Sequence, residues 1–265
     1  MSVRKIFQVD SFTHEPFKGN PAGVMMVDES VSTQWMQQMA AEMNLSETAF
    51  LKPDGEDFMI RYYTPSKEVD LCGHATLASA HVVYELGLKQ PHESILFKAK
   101  GGHLTIRKEG ALIVMNFPAY PLERMAVPKN FKKIVGFEPV EVWSSLYNWV
   151  LAVAALPDEV VNAQPDFEAL NANGLGELMI TAPSQAASED FVVRCFAPAS
   201  GINEDPVTGS AHCALTPFWA GRLGKTELHS LQVSKRSGRL ALKLLDNRVE
   251  IKGAAVMIFE ASLKI

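Results

Sequence analysis

Glu47, Cys72, His74, Asp205 and Ser210 are residues of types that can take, carry or return a proton, and Gly73 and Gly209 stand directly before the histidine and the serine. Glu47 follows a helix-like run, Thr33 to Met43, that ends at Asn44. It opens a strand in which Leu45, Glu47, Ala49 and Leu51 share one face. A carboxylate among apolar neighbours has its charged form disfavoured and its pKa raised toward neutrality, the condition for a group that must both take and return a proton. The competing reading is a solvated strand-end glutamate. Asp205, in Asn203-Glu204-Asp205-Pro206, either orients and shares a proton with His74 or is a turn residue before proline. Gly73 and Gly209 either permit tight turns or open helices whose unsatisfied amides receive a carboxylate or a developing enolate oxygen. His74 is either a proton carrier at a helix start or a satisfied structural group.

The cysteines make a contrast. Racemases of symmetric design that use two thiols need a matched cysteine on each side. Here Cys72 precedes Gly73, while Thr208 holds the place before Gly209; Cys195 and Cys213 pair with Tyr62 and Leu77. Two-thiol racemisation is therefore disfavoured, and Cys72 is either a single acid or base or a small buried filler. The three cysteines show no Cys-x-x-Cys spacing, so reduced thiols are expected. His81 and Glu85 lie one helical turn apart with no third ligand spaced to complete a metal site, and no Walker or dinucleotide fingerprint occurs. Asn20, in Gly19-Asn20-Pro21-Ala22-Gly23, is a turn residue by composition.

The elements that must position these residues form a repeat. Asp57 to Ser66 aligns with Asp190 to Ala199, each a β-branched and aromatic run stopped by proline. Each is followed, after a short polar loop, by a glycine that opens a helix: Gly73-His74-Ala75-Thr76 and Gly209-Ser210-Ala211-His212. Both helices run to a Leu-Gly stop, Leu86-Gly87 and Leu223-Gly224. The first is small or apolar on nearly every side, which predicts enclosure by its own sheet. Pro217 inside the second predicts a kink or a broken first turn. His74 and Ser210 occupy the same place in the two copies, so pseudo-symmetric halves would bring them face to face across a cleft.

Short strands are predicted at Lys5–Asp10, Gly23–Val27, Thr48–Leu51, Ile95–Phe97, His103–Arg107 and Leu112–Asn116. The fold class is α+β in two pseudo-symmetric domains, residues 1–118 and 119–253, with the strand-like tail Ala254–Ile265 returning to complete a sheet. With 265 residues the chain is long enough for both, and an apolar share of 47% is that of a globular protein. A net charge of −5 without a basic run argues against nucleic acid or anionic membrane as partner, leaving small molecules. The start, Met1 to Phe12, alternates like a strand, and no segment has the apolar length of a signal core or a membrane span, so a cytoplasmic protein is expected.

The sequence resembles the PhzF-like (phenazine biosynthesis-like) isomerase family, related in fold to diaminopimelate epimerase, over nearly its whole length. The likeness rests on Val9-Asp10-Ser11-Phe12 with Gly19-Asn20-Pro21-Ala22-Gly23-Val24, on Leu45-Ser46-Glu47-Thr48-Ala49-Phe50, on Asp70-Leu71-Cys72-Gly73-His74-Ala75-Thr76, and on Glu204-Asp205-Pro206-Val207-Thr208-Gly209-Ser210-Ala211. The resemblance implies two domains, each a curved sheet around a central helix, with a cleft between them that closes on substrate. It implies a homodimer without metal or cofactor. It also implies that Glu47 is the main general acid/base, with His74, Asp205 and Ser210 as partners and the Gly73 and Gly209 amides holding substrate; the motif around Asn20 makes that residue a further substrate-binding candidate. The expected activity is isomerisation of a small carboxylate-containing metabolite by proton transfer. The alternatives are an amino-acid racemase or epimerase, decided by product chirality, and a non-catalytic metabolite-binding protein, whose sign would be an exposed Glu47 away from any pocket.

Overall fold

A computed structural model describes residues 4–264. Met1 to Val3 and Ile265, which the strand readings at the two ends included, lie outside the described residues. The chain divides into two compact units, Met1–Phe117 with Ile251–Ile265, and Pro118–Glu250.

The first unit runs β1 (Lys5–Ser11), β2 (Asn20–Met26), α1 (Thr33–Met43), β3 (Glu47–Asp54), β4 (Asp57–Tyr63), β5 (Glu68–Val69), α2 (Gly73–Glu85), β6 (Ile95–Ala99), β7 (Gly102–Glu109) and β8 (Leu112–Pro118). β1 lies between β2 and the chain's last strand, Ala255–Ser262, antiparallel to both. β2 pairs parallel with β3, which a hairpin cannot connect, and α1 makes the crossover. The Ser32 side chain accepts from the Trp35 N–H at the start of α1, and Asn44 closes it in the left-handed region at φ 50°. The helix buries Met36, Met39 and Ala40 against Ile6, Met25, Phe50 and Tyr63. β3–β4 is antiparallel, β4–β6 parallel and β6–β7 antiparallel. α2 is buried from His74 to Tyr84 apart from His81, and packs on β1, β2, β3 and the last strand. A helix apolar on every side finds its solvent-free place there.

The second unit runs β9 (Glu123–Met125), α3 (Phe131–Val135), β10 (Glu141–Ser144), β11 (Val150–Val153), α4 (Pro157–Asn162), α5 (Phe167–Ala172), β12 (Leu178–Pro183), β13 (Phe191–Ala197), β14 (Ile202–Asp205), α6 (His212–Leu223), β15 (Glu227–Gln232) and β16 (Gly238–Leu245). β11–β12 is parallel, β12–β13 antiparallel, β13–β15 parallel and β15–β16 antiparallel. This is the order of the pairs from β2 to β7. Its core joins Phe131, Val142, Leu170, Leu178, Ile180 and Phe196. Each unit is thus a mixed sheet with a buried helix against it, the α+β class expected.

Three local features depart from the sequence reading or refine it. The second helix begins at His212, not at Gly209: residues 209–211 form a turn in which the N–H groups of His212, Cys213 and Ala214 each donate to the carbonyl three residues back at 3.1 Å. Pro217 sits inside α6, where it cannot donate to the Cys213 carbonyl; the Tyr120 N–H takes that place at 2.8 Å. Gly224 ends the helix at φ 66°, a conformation that costs glycine little. The second unit also ends before the sequence-based boundary at 253, because Ile251–Gly253 cluster with the first unit. Gly253 lies so close to Phe12 and Leu77 that a side chain there would collide with both.

Candidate active site

Parallel pairing of β2 and β3 sets Ala22 beside Glu47, so Asn20 and Glu47 open their strands at the same end of the sheet. The start of α2 brings three more groups there: Cys72 at the N-cap, Gly73 as first helical residue, and His74 after it. Helical backbone is open to any residue, so a turn requirement does not explain the glycine. His74 Nε2 lies 3.2 Å from Glu47 Oε2, and the two side chains are only 6% and 13% exposed. His74 Nδ1 lies 3.2 Å from Asn20 Nδ2 and 3.4 Å from Cys72 Sγ. The amide nitrogen of Asn20 can only donate, so Nδ1 is the acceptor and the ring proton is assigned to Nε2, on the Glu47 side.

Burial pushes the His74 imidazole down to about 3 from its usual 6.5, so the ring is neutral at neutral pH. A neutral imidazole that touches a carboxylate can relay a proton or hold the carboxylate in place. The helix start is fixed from beneath: Ser11, fully buried, donates its hydroxyl to the His74 carbonyl at 2.8 Å. Asp10, also buried, accepts the Phe17 N–H at 2.8 Å and so anchors the loop that leads into Asn20. Neither residue stood out by spacing, although both belong to the Val9-Asp10-Ser11-Phe12 motif.

Ligand atoms of Glu47, Cys72 and His74 all lie within 4.8 Å of one another. Carboxylate oxygen, imidazole nitrogen and thiol sulfur together form a donor set that a zinc-like ion accepts. Spacing along one helix, the basis for examining His81 and Glu85, could not reveal this group, because Glu47 comes from a strand. No disulfide joins the three cysteines, all of which are buried.

In the second unit Asp205 ends β14, and Gly209 and Ser210 lie in the turn before α6. Thr208 ties them together. Its hydroxyl donates to Asp205 Oδ2 at 2.6 Å, and its N–H donates to Gln232 Oε1 at 2.8 Å. Gln232 Nε2 donates in turn to the Asp205 carbonyl at 2.7 Å and to Thr208 Oγ1 at 3.2 Å. Of the candidates, then, Asn20, Glu47, Gly73 and His74 share one unit, and Asp205, Gly209 and Ser210 share the other.

Residues 9–261 match the family described as phenazine biosynthesis-like protein. The chain belongs to this PhzF-like family. It is 41% identical over 264 residues to an uncharacterized isomerase of Halalkalibacterium halodurans, covering 99% of each chain. It is similar to the crystal structure of a PhzF-family phenazine biosynthesis protein from Enterococcus faecalis, with TM-score 0.94, 36% identity and full coverage of both chains. A predicted epimerase from Pseudomonas aeruginosa, at 20% identity, TM-score 0.75 and 99% coverage of both chains, shares the fold. The relatives thus include a protein named an isomerase and a PhzF-family protein, and the fold is shared with the predicted epimerase. No helix among the described residues is long and apolar enough to cross a membrane.

Proposed function

We propose that this PhzF-like protein is a cofactor- and metal-independent isomerase that moves a proton within a small carboxylate-containing metabolite. The observation that carries the reading is the largely buried Glu47 carboxylate held 3.2 Å from His74 Nε2. Glu47 takes a proton from a carbon made acidic by a neighbouring carboxylate or unsaturation and returns it to another position. A neutral His74 holds the carboxylate in register and relays the proton. The developing enolate oxygen and the substrate carboxylate are received by the Gly73 and Gly209 amides, Asn20 and Ser210, with Asp205 as the second unit's acid/base group. The duplicated scaffold thus carries an asymmetric catalyst, at work in a cytoplasmic homodimer.

The test is solvent exchange. Wild-type protein incubated in D2O with a panel of small unsaturated carboxylates is expected to place deuterium in one of them, read by mass spectrometry, and to do so equally after dialysis against EDTA. Glu47→Gln is expected to fold and to lose at least about a hundredfold of that exchange, the scale of a missing general acid/base. Undiminished exchange in Glu47→Gln would sink the assignment of Glu47, and loss of exchange on chelation would overturn the metal-independent reading.

A second reading, a racemase or epimerase of an amino acid, has Cys72 in its favour, since a thiol 3.4 Å from His74 Nδ1 puts another proton-bearing group in the cluster. Inversion of a stereocentre in the exchanged product, followed by chiral chromatography, would select it. A binding-only role fits poorly with a glutamate this deeply enclosed.

A further inference from the structure

His212 and Thr76 occupy the same position in the two repeats, three residues after Gly209 and Gly73, and both hold a backbone carbonyl. In the first unit the Thr76 hydroxyl donates to the Cys72 carbonyl at 2.6 Å, and the Tyr62 hydroxyl, from β4, lies 2.6 Å behind it as donor. In the second unit His212 Nδ1 lies 2.8 Å from the Thr208 carbonyl, and Nε2 lies 2.8 Å from Ser230 Oγ, from β15. A carbonyl can only accept, so Nδ1 carries the proton and Ser230 donates to Nε2. Both side chains are fully buried, as is Thr76.

The two devices differ for a reason. At the start of α2 the Cys72 carbonyl also receives the Thr76 N–H at 3.1 Å, the ordinary helical bond. In the second unit the His212 N–H turns instead to the Gly209 carbonyl, and the imidazole supplies the bond that the backbone gives up. The carbonyl of Thr208 and the N–H of Gly209 belong to one planar trans peptide and point in opposite directions. A clamp on the carbonyl therefore sets the aim of the amide.

We infer that His212, backed by Ser230, is a positioning residue that orients the Thr208–Gly209 peptide, and with it the Gly209 amide and the Thr208–Asp205 hydrogen bond, as Thr76 and Tyr62 orient Cys72–Gly73. The functional meaning of that aim rests on the proposal that these amides receive the substrate's anionic oxygen. The geometric claim stands by itself.

Isotope-labelled full-length protein tests both parts. Long-range proton–nitrogen spectra of the wild type are expected to show His212 protonated at Nδ1; protonation at Nε2 would overturn the inference. His212→Leu is expected to change the residual dipolar coupling of the Gly209 N–H, and His212→Asn, whose amide donates from the Nδ1 position, is expected to restore it. An unchanged coupling in the leucine variant also overturns it. With malonate as an anionic probe followed at the Gly73 and Gly209 amides, affinity is expected to fall about tenfold in His212→Leu and to recover in His212→Asn, the scale of one directional hydrogen bond. Wild-type amides that ignore malonate would count against the substrate-binding reading and leave the dipolar coupling to judge the clamp. Should the leucine variant not fold, Ser230→Ala, which removes one hydroxyl, is read by the same coupling.

Discussion

His74 and His212 are enclosed so fully that water cannot solvate a charge on either ring, and burial lowers both, to about 3 and about 4. An unfolded chain binds protons at both sites from pH 6.5 downward, while the folded chain does not. Proton uptake by the unfolded state makes stability fall as pH drops. The contribution is fully present above pH 6.5 and is lost progressively as the pH falls through that value toward 3 for His74 and 4 for His212. Urea unfolding at pH 7.5, 6.0, 5.0 and 4.5 is expected to show this fall. In His74→Gln the slope between pH 6 and 4.5 should be smaller by up to about 1.4 kcal/mol per pH unit, one proton's worth. A variant with the wild-type slope would mean that His74 takes up its proton in the folded state, and the neutral relay would have to be abandoned. Thr208 and Gln232 belong at this scale too: neither side chain titrates, yet Thr208 donates to the Asp205 carboxylate and Gln232 to the Asp205 backbone carbonyl.

The strand before each helix is tied to its short partner by a two-pronged ion pair. Arg61 on β4 meets Glu68 on β5 through Nε and Nη2, each at 2.8 Å, and Arg194 on β13 meets Glu204 on β14 at 2.7 and 2.9 Å. Arg194 does more. Its Nη1 donates to the carbonyls of Val160, Val161 and Ala163, where α4 ends and its last acceptors lack helical partners. Its side chain is 13% exposed, against 34% for Arg61. Arg194→Ala is therefore expected to cost roughly 2–3 kcal/mol in urea unfolding, and Arg61→Ala about 1 kcal/mol or less because water screens it; equal losses would show that the α4 carbonyls add nothing. These arginines align in the repeat that was read from sequence, which is why strands β4 and β13 were legible. The helix ending at Asn44 was legible because its cap is local. β5, β10, β11, α4 and α5, of two to six residues each, show no period and were not read. The three-residue error at the start of α6 has a local cause as well: a glycine before a small-residue run looks like a helix start, while the imidazole that replaces the first backbone bond is invisible in composition. Glu47 and His74 meet across the fold, so their contact was legible through the family motifs and not through spacing.

The first unit is assembled from both ends of the chain, and this order of assembly has a measurable consequence. β1 is an inner strand: its neighbours are β2 and the last strand, which it pairs from Lys5 opposite Ser262 to Ser11 opposite Ala255. Ala261 and Leu263 add to the core that holds Ile6, Met25 and Met36. The Phe12 and Thr13 N–H groups donate to the Ala254 carbonyl at 2.8 and 3.2 Å. Residues 4–117 alone would leave one edge of β1 open and one side of α2 uncovered, an arrangement prone to pairing between chains. The Leu263 N–H donates to the Arg4 carbonyl at 2.8 Å, so the two ends lie side by side and a short Gly/Ser linker can join residue 264 to residue 4 without strain. A fragment ordered as residues 251–264, linker, residues 4–117 turns the last strand and β1 into a hairpin and makes the unit continuous in sequence. It is expected to show a cooperative thermal transition by circular dichroism and dispersed amide resonances, whereas residues 4–117 alone should show neither. If the linked fragment also melts without cooperativity, the first unit draws its stability from outside itself, and its cluster of Asn20, Glu47, Cys72 and His74 cannot be treated as self-supporting.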